Sequence, residues 1–547
     1  MVQKPIFNVS LRDTLASLAK KSEKICAPVP PAYNAKNLQG AEAYSLSAEL
    51  QLLGMLNTCR MEPQAYRTII QTIWRLSDLI FQVASKDAYL VAQMIVWSRC
   101  CGAGLRSVNQ LAAAMLAPYI SGTEWGKRFY GAFDKTSKTP KGGVVYRLDD
   151  MSEIKDFHYW WTGKVMSNAM RKGFNSVLVN ADSYALTKYK KTVVDISNLT
   201  HPDPWKSKAL SEIEDGRVVN TLSAILKGLP VQAETWETAQ SEAGQLVAEA
   251  VKNGTLNEDE AANMLRAAKH ENWKVLLQEG KLGILAAIRN LRNILKVDDD
   301  EVADMLCKLV SDGDKIRKGK IMPYQLEMAQ TMVAMGPGGF TTNGRKVWMA
   351  LEKGMTAALP NLAELAKGRN LVILDCSGSM HTGARMAHGT VSTCMEKASI
   401  LAAMLAKATN ADVIRFGSQA EYVTYNPCAS LTAIAHELAV KRMGMTNISK
   451  AFDLITREGA RYDRIFLLSD NEANGGCLRS SYIKYLETGC DPHVYCVDLA
   501  CYGTVPLYDD RGKVHFYNGY SYAMLDDIAL LEFDPNAHIL KVREVEI

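Results

Sequence analysis

The sequence has no uninterrupted apolar run that is long enough to span a lipid bilayer. Its first residues, MVQKPIFNVSLRD, lack the apolar core of a secretory signal peptide. We therefore expect a cytoplasmic protein. With 547 residues, the chain is too long for a single hydrophobic core, and we expect two or more domains.

The sequence also lacks CxxC pairs and the common catalytic motifs. Its 12 cysteines are scattered through a large chain, so we expect reduced, mostly buried thiols and no disulfide framework. A GxSxG elbow, a phosphate-binding P-loop and an HExxH helix are all missing. His381 has no nucleophile that can be identified beside it, so we expect it to be a loop residue. These absences predict a protein that is not an enzyme.

The net charge of +4 is unevenly distributed along the chain. From Arg369 onward, 17 Lys and Arg residues face 21 Asp and Glu residues, whereas before Arg369 the numbers are 46 and 38. A basic excess of this size indicates an acidic partner only if the cations cluster on one surface.

The spacing of apolar residues changes near residue 365. Up to that point they recur every three or four residues, which predicts helices. Asn257 and Asp300 are candidate helix caps, and Gly280 is a candidate break. Successive helix pairs indicate a HEAT-like or armadillo-like α-solenoid, with a non-repetitive helical bundle as the alternative. Over 369–547, strands alternate with helices, which predicts a doubly wound α/β domain.

Oxygen-bearing side chains follow several of the predicted strands in this second half. In LVILDCSGSM, Asp375, Ser377 and Ser379 come directly after an apolar strand, Thr446 lies on a later loop, and Asp470 ends another strand. Carboxylates and hydroxyls are hard ligands that suit Mg²⁺ or Mn²⁺. Ligands of α/β sheets bind at the carboxyl ends of the strands. Taken singly, each residue is ordinary for a turn, and Asp375 could instead cap the next helix.

One stretch of the helical half is both basic and aromatic. Aromatic rings stack on unpaired bases and cations meet phosphates, so this composition is typical of RNA-binding surfaces. The alternative is that the tryptophans pack between helices, that Lys190 and Lys191 form a solvated face, and that His201 caps or packs. The stretch contains Tyr159, Trp160, Trp161, Lys164, Arg171, Lys172, Lys188, Lys190, Lys191, His201 and Trp205.

Several strings together resemble a known family. DCSGSM, with the later Thr and SDNE, is similar to the metal-ion-dependent adhesion site of von Willebrand factor A domains. NAMRKGFNSVL and LTKYKKTVVDISNLTHPDP resemble segments of the Ro autoantigen family, the TROVE proteins, of the bacterial type. This resemblance implies a TROVE ring of helical repeats over 1–365 and an A domain over 369–547. The loop between KYKK and NLTH is shorter than in typical members and lacks their Trp.

The resemblance also implies a function and a set of RNA-contacting residues. Ro-like proteins hold a small noncoding RNA of the Y class on the ring surface and admit single-stranded 3′ ends of misfolded RNAs into the ring hole. Lys188 and His201 match residues of the second segment, and Arg171 and Lys172 match the basic pair of the first. Bacterial relatives suggest polynucleotide phosphorylase, or another exoribonuclease, as a partner. The rival hypothesis is a protein-interaction scaffold whose metal site accepts a partner's acidic residue.

Overall fold

We describe the fold from a computed structural model of the chain. It covers residues 30–547 except 214–215, 232–235, 254, 256, 337–340, 360–364, 386–390, 440–441, 523–524, 526–527, 533 and 535–536.

The described part of the chain up to Ala357 is mostly helical, as predicted. Short strands β1 (Ala35–Lys36), β2 (Glu42–Ser45), β3 (Leu210–Glu212) and β4 (Val218–Asn220) interrupt the helices. The helices are α1 Ala48–Thr58, α2 Ile69–Cys100, α3 Ser107–Met115, α4 Ala117–Ile120, α5 Gly126–Phe129, α6 Asp149–Thr162, α7 Asn168–Asn180, α8 Ser183–Lys188, α9 Lys190–Thr200, α10 Thr221–Leu226, α11 Trp236–Lys252, α12 Glu258–Gln278, α13 Ile284–Ile294, α14 Asp300–Val310, α15 Gly313–Lys318, α16 Pro323–Met335 and α17 Thr342–Ala357.

Polar side chains fix where several helices begin. The Asn257 side chain accepts a hydrogen bond from the backbone N–H of Glu260, and the Glu260 side chain accepts one from that of Asn257. The predicted Asn257 cap is therefore confirmed. The predicted Asp300 cap is wrong by one residue, since α14 begins at Asp300 and the Asp299 side chain caps it.

Helix α2 is long and apolar enough, by length and composition, to span a membrane. However, 61% of its most apolar 18-residue window is buried inside the protein. Asp87 interrupts the helix with non-helical angles, φ −148° and ψ 82°. Its carboxylate accepts a hydrogen bond from Leu90 N at 2.9 Å, so it acts as an internal cap. The buried environment identifies α2 as a core helix of the helical half.

The second half is a six-stranded sheet covered by helices. Its strand order is β9-β8-β5-β10-β11-β13, and all neighbouring pairs are parallel except β8 and β9. The predicted doubly wound fold is confirmed. The elements are β5 Asn370–Asp375, β6 Gly383–Arg385, β7 Val391–Thr393, α18 Cys394–Thr409, β8 Asp412–Phe416, β9 Ala420–Val423, α19 Leu431–Ala439, α20 Ser449–Arg457, β10 Arg464–Ser469, α21 Leu478–Glu487, β11 His493–Asp498, β12 Thr504–Val505, β13 Val514–Asn518 and α22 Ala537–Arg543.

The chain crosses between the two halves more than once. Strand β2 pairs with β12 of the second half. In the opposite direction, residues 537–547 return to the helical half, where Gln93 Nε2 donates to the carbonyls of Arg543 and Val545 at 3.0 and 2.9 Å. Val542, Val545 and Ile547 belong to the hydrophobic core of the helical half. The boundary predicted near residue 365 falls between α17 and β5. Each half nevertheless contributes a segment that packs against the other half.

A continuous hydrophobic core joins α16 and α17 to α18 of the sheet domain. Glu327 lies in this contact, on α16, with Glu352 and Glu396 nearby. Burial, reinforced by repulsion from those two carboxylates, raises the pKa of Glu327 to about 7. Above that pH the contact contains a buried negative charge, which weakens it.

We predict that Glu327→Gln stabilises the protein at pH 8 and has little effect at pH 5. A carboxyl whose pKa is raised on folding contributes stability below its unfolded value, and that contribution is lost as the pH rises through about 7. The neutral amide does not titrate, so the melting temperature of the variant should exceed that of wild type by a few degrees at pH 8. Thermal unfolding at both pH values measures this, with exposed Glu249→Gln as the control. An equal difference at both pH values would contradict it.

Candidate metal centre and nucleic-acid interfaces

The predicted oxygen ligands lie at the point in the sheet where the order of the strands reverses. Strand β5 is first in the chain, with β8 and β9 on one side and β10, β11 and β13 on the other. In such sheets the crevice at the carboxyl ends of the two strands at the reversal is the usual ligand site. Asp375 is the last residue of β5, and Asp470 directly follows β10. Topology thus brings these two carboxyl groups to one crevice.

Hydrogen bonds join the three loops that carry the predicted ligands. Asp375 accepts from Ser377 N at 2.8 Å and from Ser469 Oγ at 2.6 Å. The Ser377 and Ser379 hydroxyl oxygens are 3.3 Å apart. The Ser379 hydroxyl acts on the Asp470 carboxyl group and lowers its pKa, against the larger effect of burial. Three of the five predicted ligands therefore belong to one hydrogen-bonded cluster, and Asp470 lies beside it.

The loop of Thr446, the fifth predicted ligand, is fixed to both of the others. Gly378 N donates to Gly444 O at 2.8 Å, which ties it to the loop after β5. Thr446 N donates to Asn474 Oδ1 at 2.9 Å, and Asn474 N donates back to Thr446 O at 3.0 Å. Thr446 is 1% exposed, so its hydroxyl belongs to the interior of this loop cluster.

The two carboxyl groups are both buried. Asp375 and Asp470 are 0% and 1% exposed, and neither forms an ion pair with a described residue. Burial raises the pKa of both, and the Asp470 charge raises that of Asp375 further. A divalent cation between them would remove this repulsion. The donor set fits Mg²⁺ or Mn²⁺, because it combines two carboxylates with three hydroxyls.

The capping alternative for Asp375 is wrong. Helix α18 is capped by Thr393, in a reciprocal pair with Glu396. The short 3₁₀ helix Ser379–His381 has no side-chain cap. Asp375 therefore has no helix to cap, and its hydrogen bonds are those of a turn.

Two further acids near this crevice were missed by the sequence analysis. Burial raises the pKa of Asp498, which ends β11, to about 7, and that of Glu472 to about 8. Asp498 carries the same signal as Asp375, a carboxylate at a strand end. No group of three or more His, Cys, Asp or Glu side chains within the described ranges is arranged to hold a metal, so the hydroxyls are needed for any ion.

Part of the predicted RNA-binding set surrounds a cleft of about 620 Å³, which we call the His201 cleft. Its walls come from the ends of α6 and α9 and from α7. His201 is the exposed C-cap of α9, with φ 51°. Beside the cleft, Tyr159 and Trp160 are 65% and 60% exposed, so the expectation that Trp160 packs between helices is wrong. The lining residues are Lys155, Asp156, Tyr159, Lys164, Val165, Met166, Arg171, Asn198, Leu199 and His201.

The remaining predicted cations lie at the opposite end of α9. The 11 residues of this helix span ~16 Å, which separates Lys188, Lys190 and Lys191 from His201. The Lys188 ammonium lies 3.4 Å from the Tyr184 hydroxyl, and Lys190 Nζ lies 3.5 Å from Leu229 O. The structure therefore divides the predicted residues between two surfaces. Lys172, next to Arg171 on α7, is exposed but does not line the His201 cleft.

A second basic cavity, of about 500 Å³, was not found from the sequence. We call it the arginine cavity. It lies between residues that are far apart in the chain, which is why no local motif indicates it. The exposed side chains of Arg289 and Lys318 form no hydrogen bond or ion pair with a described residue. Its basic lining residues are Arg60, Arg99, Arg106, Arg147, Arg289, Lys318 and Lys320.

Asp150 holds part of the arginine cavity in place. It is 0% exposed and accepts hydrogen bonds from Arg106 Nε at 2.9 Å and Arg99 Nη2 at 3.3 Å. The backbone N–H of Arg147 donates to it as well, at 2.9 Å. Burial alone would raise the pKa of Asp150, but Arg99 and Arg106 outweigh it and the pKa lies below the ordinary value. Tyr189 accepts from Arg147 Nε at 3.0 Å, which links this cavity to the start of α9.

Comparisons with known proteins agree with this arrangement. The family model of the TROVE domain matches residues 254–336. The RNA-binding protein RO60 of Caenorhabditis elegans is 25% identical over 290 residues, which are 50% of this chain. That match spans 41% of the length of the curated relative.

A solved structure covers more of the chain. The crystal structure of the Deinococcus radiodurans RO (RSR) protein aligns with a TM-score of 0.52 at 15% identity, over 91% of this chain and 99% of that one. The chain thus carries a TROVE-domain match and shares the fold of a Ro protein. The predicted fold, a helical half followed by an α/β sheet domain, is thus confirmed. The comparisons do not identify what binds in the cavities.

Proposed function

We propose that the protein is a Ro-family member that binds RNA and is not an enzyme. The His201 cleft is the observation that carries the proposal, since exposed aromatic rings stand beside Lys164 and Arg171 there. Rings stack on unpaired bases, and cations bind the phosphates between them. The name of the C. elegans relative supports RNA as the ligand.

We further propose a small Y-class noncoding RNA as the ligand of the outer surface. Single-stranded 3′ ends of misfolded RNAs would enter the arginine cavity, whose cations line a space of about 500 Å³. The protein would then act in RNA stability, quality control or decay in the cytoplasm. Polynucleotide phosphorylase, or another exoribonuclease, would be its protein partner.

We also propose that Asp375, Ser377, Ser379, Thr446 and Asp470 hold Mg²⁺ or Mn²⁺. The two buried carboxyl groups, which form no ion pair with a described residue, support this. The scaffold hypothesis needs an open site that accepts a partner's acidic side chain. It receives less support, because the cavity beside Ser379 and Asp470 measures only about 50 Å³ and is lined in part by the helical half. Little room is left there for a partner's side chain.

We predict that Lys164→Ala, Arg171→Ala and Lys172→Ala together weaken binding of a structured RNA at least tenfold. Each lost phosphate contact should also reduce the slope of log affinity against log salt by about 0.7–0.9. Titration at several salt concentrations measures both. A control with equal charge change, Lys36→Ala, Arg457→Ala and Lys484→Ala, should leave affinity and slope nearly unchanged. Equal losses in the two triple variants would indicate a non-specific charge effect.

We predict a separate role for the arginine cavity. RNA with a single-stranded 3′ tail should bind the wild type better than a blunt duplex of equal length. Arg289→Ala with Lys318→Ala should remove this preference, because both side chains face the cavity and lack other partners among described residues. The cleft variant should retain the preference. Competition between the two RNAs tests this, and an unchanged preference in the Arg289/Lys318 variant would count against threading.

We predict that Asp375→Ala abolishes Mn²⁺ binding, since one of the two carboxylate ligands is lost. Isothermal titration calorimetry on wild type and variant measures this directly. Asp453→Ala, on α20 of the same domain, serves as the control. Wild-type protein that binds no Mn²⁺ at millimolar concentration would refute the metal proposal.

A further inference from the structure

A cavity of about 400 Å³ adjoins the arginine cavity, and we call it the lysine pocket. Ala103, Tyr146, Lys318 and Lys320 line both spaces, so the two are adjacent. Residues 521–522, which follow β13 of the sheet domain, line only the lysine pocket. The end of a ligand that occupies the arginine cavity would therefore lie next to this pocket.

The lining of the lysine pocket is positively charged. No Asp or Glu is among the described residues that line it. Burial raises the pKa of the Cys100 thiol to about 12 and also raises that of Cys101, so neither thiol adds negative charge at neutral pH. This lining favours an anion. The charged residues are Lys135, Arg317, Lys318 and Lys320.

Lys320 is held in the wall between the two cavities. Its φ of 54° lies in the left-handed region, which lysine rarely adopts. Its Nζ lies 3.4 Å from Gly102 O, and a Cβ at Gly104 would meet its Cδ at 2.8 Å, so the glycine leaves room for the lysine stem. Burial lowers the pKa of Lys320 to about 8, and no described carboxylate forms an ion pair with it. An anionic ligand would supply the missing counter-charge.

Aromatic rings lie beside these cations. Lys135 Nζ lies 4.2 Å from the centroid of the Tyr146 ring, and Arg99 Cζ lies 5.2 Å from it. The Phe133 ring packs against Tyr146, with centroids 6.0 Å apart, and also lines the pocket. Such rings can stack on a nucleic-acid base while the cations bind its phosphate. The lysine pocket thus combines the contacts that a nucleoside phosphate needs.

We propose that the lysine pocket binds a phosphate monoester at the 3′ end of an RNA strand whose preceding nucleotides occupy the arginine cavity. This inference rests on the RNA binding proposed above. A phosphate monoester carries a charge of about −1.5 to −2 at neutral pH, which is more than a single internal phosphodiester carries. The protein therefore selects RNA strands that end in a 3′-phosphate over those that end in a 3′-hydroxyl.

A free mononucleotide presents the same chemical group as a phosphorylated RNA end. It would fill the lysine pocket alone and leave the cations of the adjoining arginine cavity without a ligand. An RNA end occupies both spaces, so the shared wall of the two cavities favours RNA as the source of the phosphate.

Three versions of one short single-stranded RNA test the proposal on the full-length protein. One has a 3′-phosphate, one has a 3′-hydroxyl, and one has a 5′-phosphate with a 3′-hydroxyl, which equals the first in charge. The 3′-phosphate should raise the affinity of wild type about tenfold over both others, as expected for charge-assisted contacts. Lys135→Gln with Lys320→Gln should reduce this gain to about twofold or less.

Two single variants separate the pocket from the arginine cavity. Lys135 lines only the lysine pocket, so Lys135→Gln should reduce the gain and leave the affinity for the 3′-hydroxyl RNA unchanged. Lys138→Gln, at an exposed lysine of the same loop that lines neither cavity, should retain the full gain. A full gain in the Lys135/Lys320 variant would place the phosphate elsewhere and overturn the proposal.

Chemical labelling of amines supplies a second readout. The 3′-phosphate RNA should protect Lys135 and Lys320 of wild type from acetylation, whereas adenosine 3′-monophosphate at the same concentration should not. Equal protection by the free nucleotide would make the pocket a mononucleotide site and refute the RNA end. If wild type binds all three RNAs equally, the RNA function stands and the 3′-phosphate site falls. If no single-stranded RNA binds, both fall.

Discussion

Two carboxyl groups buried side by side at the carboxyl edge of a parallel sheet repel each other, and the surrounding structure depends on how that repulsion is relieved. Asp375 receives hydrogen bonds from Ser377 N and Ser469 Oγ, and Asp470 receives one from Glu472 N. Such dipoles reduce the cost of burying negative charge but do not remove it. The metal that we propose here would remove the rest of that cost.

In the helical half the excess charge has the opposite sign. There the cations are in excess, and Asp150 holds two arginines and a backbone turn in fixed positions. The remaining positive charge points into the arginine cavity, where an anionic ligand would balance it. Arg60 and Glu62 line both this basic cavity and the small cavity beside Ser379 and Asp470. The two cavities are therefore separated by one short stretch of chain.

The sequence predicted those parts of the sites that local patterns encode. A strand that ends in Asp375 and another that ends before Asp470 are visible because apolar runs stop at carboxylates, and the parallel topology then brings the two together. The arginine cavity was not predictable in this way, since Arg289 and Lys318 meet Arg147 only through the packing of distant helices. The exposure of Trp160 was misjudged for the same reason. Composition shows which residues are available, but the faces that neighbouring helices leave uncovered decide which of them remain at the surface.

The return of residues 537–547 to the helical half has a consequence for folding during synthesis. Val545 completes a core whose partner helix α2 is made about 450 residues earlier. Until then, the ribosome-bound helical half lacks part of its apolar packing and the carbonyls that pair with Gln93. Contacts of such long sequence separation form late and slow the overall reaction. An intermediate with an unfilled groove on α2 would be exposed to aggregation, so we expect chaperone dependence to be concentrated in this stage of biogenesis.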